Sequence, residues 1–350
     1  MTSNNFIQVG ILGAAHGHVG MYCSRWREKP ELGVRVTAAW DHDTARAEGF
    51  CKSQGLAIAS SASDLLARPD VDAVVVAAET SMHADLVELA AAAGKPVILQ
   101  KPIALTLAEA DRIVAAVGRA NVPFTLAWQM RIDPHNLKVK SLLEGGEFGR
   151  VYMIRRRHCL NTQQWKDFDK TWHVNPALNR DIFADDAAHA MDFIYWMRGM
   201  PVSVMAEMGT LLNPRVPNDN GIAVFRYADG SFAEVSCTFV AVAGENVTEA
   251  ICENGSIIGN YGDVPSCNVP WPGGGIQLKW CLAKTGQWTI SDLPDIRQHG
   301  ERIAALAAPL AEFLHGQRPA IATAAEGRDV LRMIEGCYES STKGIRAVLG

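Results

Sequence analysis

Apolar residues in the first third of the chain fall into short unbroken runs separated by stretches with helical spacing. Residues 6–12, 34–40, 71–77, 97–99 and 124–127 read as strands, and 18–27, 44–54, 82–93 and 106–119 as helices. Continuous apolar strands alternating with helices imply a parallel sheet buried on both faces, with right-handed crossovers. The pattern changes near residue 125. A helix over 136–144 leads to a strand over 151–157, an aromatic, turn-rich stretch over 158–181 and a helix over 185–197. Strand patterns follow at 202–208, 221–227, 231–240, 249–252 and 256–261. Ala228-Asp229-Gly230 and Glu253-Asn254-Gly255 separate successive strands and read as hairpin turns, so those neighbours run antiparallel. A Pro/Gly-rich stretch over 264–275 is irregular, and helices over 301–314 and 324–343 close the chain. The expectation is an α/β protein of two domains. Residues 1–125 form a doubly wound parallel sheet, and 126–350 an α+β domain with an open, mostly antiparallel sheet.

Composition narrows the possible partners. Hydrophobic residues make up 48% and charged residues 20%, a balance that excludes wholesale disorder. Thirty-three basic residues against 38 acidic ones leave a net charge of −5, so no basic excess exists to neutralise nucleic acid. No apolar run approaches a membrane span. Met1-Thr2-Ser3-Asn4-Asn5 carries neither the basic nor the apolar region of a signal peptide. The eight cysteines include no C-x-x-C pair and read as reduced, mostly buried thiols. A cytoplasmic protein without nucleic-acid or membrane partners is expected.

Candidate chemistry begins where the first strand ends, at Gly13-Ala14-Ala15-His16-Gly17-His18. A dinucleotide site needs a tight strand-to-helix turn whose N–H groups and helix N-terminus face a pyrophosphate. Against G-x-G-x-x-G, Gly13 matches, while Ala15 and His18 replace glycines; by itself the segment also fits an ordinary turn. Asp41 ends the second strand, at the distance expected of a carboxylate that binds ribose hydroxyls and repels a 2′-phosphate. His42 follows rather than Arg or Lys, so NAD is expected over NADP. Lys101-Pro102 ends another strand, where a lysine can stabilise an alkoxide or lie exposed. On the helix at 185–197, Asp185 and His189 share a face, with Asp192 one turn on. They fit either a general acid/base pair or a core histidine with a capping aspartate. Arg155 and Arg157 share one strand face, either solvated or contacting an anionic substrate. Trp165, Trp172 and His173 either stack on sugar rings or fill the core. No histidine spacing is diagnostic of metal, and none is expected.

In this order, these features resemble the Gfo/Idh/MocA oxidoreductases. The Gly turn, Asp41, Met82-His83, Gly94-Lys95-Pro96-Val97 to Lys101-Pro102, Arg131 with Pro134, Gly149-Arg150-Val151, Asp185-x-x-x-His189-x-x-Asp192 and Gly316-Gln317-Arg318-Pro319 all take part. The resemblance implies a Rossmann domain and nicotinamide-dependent chemistry on sugars, polyols or their derivatives. It places catalytic roles on Lys101, Asp185 and His189, and NAD contacts on Gly13, Ala15, His16, Asp41, His83, Lys101 and Gln129. Asp185 would orient or charge-stabilise His189. Gln100 stands where the family motif has Glu, which removes a carboxylate beside Lys101. A homodimer or homotetramer is implied, in keeping with a sheet open on one face. The function expected is an NAD-dependent sugar or polyol dehydrogenase. Transient redox used to cleave a glycosidic bond, with tightly held NAD, is one alternative, and an NAD-binding regulator without catalysis another.

Overall fold

The computed structural model describes residues 6–162, 165–260, 269, 274–295 and 299–350. The N-terminal pentapeptide and most of the irregular stretch expected over 264–275 lie outside them, as does Tyr261, the expected end of a strand. The chain forms two compact units: Met1–Gln129 with Arg302–Arg328, and Met130–Glu301 with Asp329–Gly350.

The first unit is built on β1 (Ile7–Leu12), β2 (Val34–Trp40), β3 (Ala57–Ile58), β4 (Ala73–Val76), β5 (Val97–Leu99) and β6 (Phe124–Leu126), in the order β3-β2-β1-β4-β5-β6. Every pairing is parallel, as the unbroken apolar runs require. Strand order reverses between β1 and β4, and ligands bind beyond the carboxyl ends of strands at such a point. The two-residue β3 and the helix Ala62–Ala67 were not expected, being too short to show a period.

A single cut after residue 125 needs correction, because residues 302–328 belong to the first unit. Trp26 Nε1 donates to the Ala307 carbonyl at 2.7 Å, and the Leu126 N–H to the Ala322 carbonyl at 2.9 Å. Thr125 Oγ1 accepts from the Ile321 N–H at 2.8 Å, so this late segment covers the β6 edge. The helix expected over 301–314 is also two helices, His299–Ala304 and Ala307–Leu314. Pro309 explains the break. It has no N–H to continue a helix but is tolerated in the first turn of a new one.

The second unit is a nine-stranded sheet of β7 (Val151–Cys159), β8 (Ser203–Gly209), β9 (Asn220–Arg226), β10 (Phe232–Thr238), β11 (Val247–Cys252), β12 (Gly255–Asn260), β13 (Leu278–Leu282), β14 (Trp288–Ile290) and β15 (Ala347–Val348). Its order is β14-β13-β12-β11-β7-β10-β9-β8-β15. Both expected hairpins form, β9 with β10 and β11 with β12. The single parallel pair is β7 with β10, among the described residues.

The helix Ala188–Arg198 packs on one face of this sheet, against β7 and β10. Two charges are buried beneath and beside it. Arg131 donates to Asp192 through Nη2 at 2.7 Å and through Nε at 3.0 and 3.1 Å. Asp192 is thus paired with Arg131 inside the unit. Arg156 lies over the Phe193 ring, 4.7 Å from its centroid, and donates to Thr248 Oγ1. A buried guanidinium–carboxylate pair contributes little over apolar packing, but stranding one partner is costly. Asp192→Ala should therefore destabilise the protein by about 3–5 kcal/mol. Urea denaturation would measure it, and a loss below about 1 kcal/mol would contradict the pairing argument.

Candidate active site

At the end of β1 the chain passes closest to its neighbour. Gly13 has φ +81°, and a Cβ added there would sit 2.4 Å from Ala78 Cα. Only glycine supplies both that conformation and that space. The turn is then tied down on three sides. The Gly13 N–H donates to the Trp40 carbonyl at 2.7 Å, and the His16 N–H to the Ala77 carbonyl at 3.0 Å. The Ala14 N–H donates to Asp41 Oδ2 at 2.7 Å. Ala15 lies within this turn, and the His16 ring is buried edge-on to His18, with centroids 4.3 Å apart. The two histidines leave the turn tight, since Gly13 alone sets its geometry.

Asp41 carries a partner that was not foreseen. Arg46 donates to both of its oxygens, through Nε and Nη2, each at 2.7 Å. Arg46 Nη2 also lies 2.8 Å from Glu79 Oε1, and His42 Nε2 lies 3.0 Å from Glu79 Oε2. The expectation that no basic residue stands near Asp41 is therefore corrected. Arg46 lies five residues away, in the first turn of the helix Thr44–Gln54, which folds it back over the strand end. Burial works to raise the Asp41 pKa, but Arg46 and the Ala14 and Asp43 N–H groups outweigh it and hold the carboxyl below its ordinary range.

Lys101 is buried at the end of β5, before a cis bond to Pro102. His83 braces this turn. Its Nδ1 lies 2.9 Å from the Pro102 carbonyl oxygen, and its Nε2 lies 3.2 Å from that of Ala78. Both ring nitrogens thus face backbone, and burial pushes the His83 pKa down. Both ring nitrogens are engaged by backbone carbonyls, so His83 braces the turn that carries Lys101. Gln100 Nε2 donates to Tyr22 Oη at 2.8 Å, so this departure from the family motif is absorbed by a buried neutral hydrogen bond. Gln129 is fully buried at the start of the short turn Gln129–Arg131.

In the second unit, the segment expected to start an α-helix at Asp185 is a π-helical turn, Phe183–Ala187, running into the helix Ala188–Arg198. Its capping acid is Asp181, whose Oδ1 accepts from the Ala184 N–H at 2.9 Å. Gly221 makes room for the Phe183 ring, since a Cβ there would sit 2.5 Å from Phe183 Cε2. π-turns of this kind interrupt helices at functional sites. Here the widened turn brings Asp186 to His189, with Oδ1 3.5 Å from Nε2. The other Asp186 oxygen lies 3.3 Å from His158 Nε2 on β7. Both imidazoles are buried, their centroids 5.9 Å apart. No sequence pattern assigned a role to Asp186 or His158. Asp185, expected from the i, i+4 spacing, is buried in the same π-turn.

Other candidates resolve into structural roles. Arg155 is matched across the sheet by Glu234 at 2.9 Å and Glu249 at 3.3 Å, which removes the case for a substrate anion. Trp172 stacks on His173, centroids 4.0 Å apart, and Phe168 contacts both Trp165 and His173.

Comparison with known proteins agrees with this geometry. Residues 7–127 match the oxidoreductase family with an NAD-binding Rossmann fold, and 136–258 match the GFO/IDH/MocA C-terminal domain. The chain belongs to the Gfo/Idh/MocA oxidoreductases. It is 29% identical over 280 residues to an inositol 2-dehydrogenase of Streptomyces avermitilis, covering 78% of each chain. Its fold is that of levoglucosan dehydrogenase in complex with NADH and levoglucosan (TM-score 0.83, 19% identity, 98% and 99% of the chains covered). It is also that of the WlbA dehydrogenase of Bordetella pertussis in complex with NADH and UDP-GlcNAcA (TM-score 0.81, 22% identity, 99% of each chain). Among the described residues, no helix is long and apolar enough to cross a membrane.

The state of Asp41 makes a pH prediction. A carboxyl whose pKa is lowered on folding stabilises the fold above its unfolded value, and that gain is lost as pH falls through the folded value. Asp41→Asn should therefore be less stable than wild type at pH 7, with the gap closing as pH drops below 3.8, the ordinary aspartate value. Thermal melts across that range would show it, and a pH-independent gap would contradict the ion pair.

Proposed function

We propose that this protein oxidises a hydroxyl of a sugar, polyol or sugar derivative, or reduces the matching ketone, with NAD(H). The observation that carries the chemistry is the buried His189, paired with a carboxylate on a π-turn, in a chain whose other unit matches an NAD-binding family. NAD fits the first unit. Gly13 leaves space where any side chain would collide, and Asp41 stands at the end of the neighbouring strand. Gly13, Ala15 and His16 would line the pyrophosphate, Asp41 would take the ribose, and Lys101 and Gln129 would lie toward the nicotinamide end. When bound, NAD supplies the hydride acceptor.

This chain's residues supply the remaining chemistry. His189 accepts the hydroxyl proton, which general base catalysis requires. Asp186 holds the imidazole and favours its charged form as the proton arrives, with His158 securing Asp186 from the far side. Asp185 is assigned to orienting substrate beside His189. Lys101 stabilises the developing alkoxide, and His83 keeps the turn that carries it in place.

We further propose that a second copy covers the open face of the nine-stranded sheet. Met205, Ile222, Val224 and Phe232 on that face are 41, 54, 37 and 43% exposed, an apolar area that isolated domains rarely leave to water. Light scattering should return a dimer or tetramer; a 38 kDa monomer at micromolar concentration would refute this. For catalysis, a panel of sugars, inositols and sugar acids should yield a substrate on which NADH accumulates with turnover. His189→Ala should then cut turnover by ~10²–10⁴ while leaving NAD affinity nearly unchanged. Lys101→Ala should weaken both. Full activity in His189→Ala would end the mechanism, and turnover without net NADH would favour redox-assisted bond cleavage.

A further inference from the structure

The Asp41 carboxylate has no acceptor capacity to spare. Oδ2 takes the Ala14 N–H at 2.7 Å and Arg46 Nε at 2.7 Å. Oδ1 takes the Asp43 N–H at 2.9 Å and Arg46 Nη2 at 2.7 Å. Two carboxylate oxygens offer about four lone-pair sites, and all are engaged. A ribose that brings two hydroxyl donors must displace two of these bonds. The Ala14 and Asp43 donors are backbone, held by the turn after β1 and by the start of the helix Thr44–Gln54. The Arg46 bonds are the two that can yield. On release, Arg46 keeps a second anchor at Glu79, 2.8 Å from Nη2. Its Nη1 makes none of these bonds, and its side chain is 24% exposed.

We propose that Arg46 sets cofactor discrimination in this protein, competing with the adenosine ribose of NAD for Asp41 and supplying the positive charge that admits a 2′-phosphate. The inference rests on the NAD-binding reading above and adds NADP as a second accepted cofactor. Its physical basis is a trade between two ligands. The ribose diol of NAD binds only after Arg46 lets go of Asp41. A 2′-phosphate leaves the pair intact and gains a charge-assisted donor, while the guanidinium offsets one of the two negative charges that Asp41 and Glu79 present.

Removing Arg46 therefore has opposite effects on the two cofactors. Arg46→Ala frees two acceptor sites for the ribose and exposes a phosphate to two uncompensated carboxylates. Arg46→Lys separates the parts, because an ammonium keeps the charge but cannot bridge both Asp41 oxygens. Glu79→Gln removes one of the opposing carboxylates and leaves Asp41 as it is.

Titration calorimetry of the full chain with NADH and with NADPH reads each term. Wild type should bind both, NADPH within about thirtyfold of NADH. Arg46→Ala should tighten NADH by about threefold and weaken NADPH by about tenfold or more. Arg46→Lys should tighten NADH comparably and hold NADPH within about threefold of wild type. Glu79→Gln should improve NADPH and weaken NADH modestly, because Arg46 loses its charged anchor on releasing Asp41, which keeps the proposal testable if Arg46→Ala fails to fold. An NADH/NADPH ratio that does not move in Arg46→Ala, or that moves equally in Arg46→Lys, overturns the role of Arg46. NADPH bound more than about a thousandfold more weakly than NADH by wild type overturns dual acceptance. Failure of wild type to bind NADH at all would instead strike the NAD-binding reading beneath it.

Discussion

The first unit depends on one steric fact, the passage of the backbone at Gly13 against Ala78. Because no side chain fits between them, β1 and β4 end side by side with nothing filling the space above. The turn after β1 can then be tied to β2 through Trp40 and Asp41, and to β4 through Ala77. The Asp41 carboxylate is thus held by the same turn that follows β1. The two parts of a nucleotide site are set by one close approach rather than by separate devices.

The second unit solves a different problem, which is to hold a histidine in apolar surroundings with a defined ring orientation. The sheet contributes His158 from β7, and the π-turn contributes Asp186. Around them the buried charges are matched, Arg131 with Asp192 and Arg156 by the Thr248 hydroxyl and the Phe193 ring. A helix surrounded by such directional contacts has few alternative seatings, because any rotation would strand a charge. The imidazole of His189 inherits that restriction.

Local patterns were legible in the chain and long-range ones were not. Unbroken apolar runs marked the parallel strands, and Asp-Gly and Asn-Gly turns marked both hairpins, since each depends on neighbouring residues. β3 and β15, each two residues long, gave no period to read. Pro309 was visible, yet its effect depends on where a helix is already trying to run. Arg46 was passed over because the residue next to Asp41 was taken as decisive, whereas the helix that follows returns the fifth residue to the carboxylate. Asp185 was chosen by counting four along a helix, whereas the approach of Asp186 to His189 comes from the next residue of the π-turn. The open sheet face was inferable from alternation in β7. The pairing of Arg155 with two glutamates required knowing that β10 and β11 flank it.

The central place of β7 also governs how this protein can be assembled as it is made. Its partner residues in β10 and β11 follow 79 and 94 positions later, so β7 has no neighbour when it leaves the ribosome. At ordinary translation speed that interval is on the order of ten seconds. Throughout it, a strand with two unpaired edges is exposed to solvent and to other nascent chains. The first unit waits longer still, since the residues that cover β6 are among the last thirty of the chain. Neither sheet can complete its pairing until the late segments of the chain have been made.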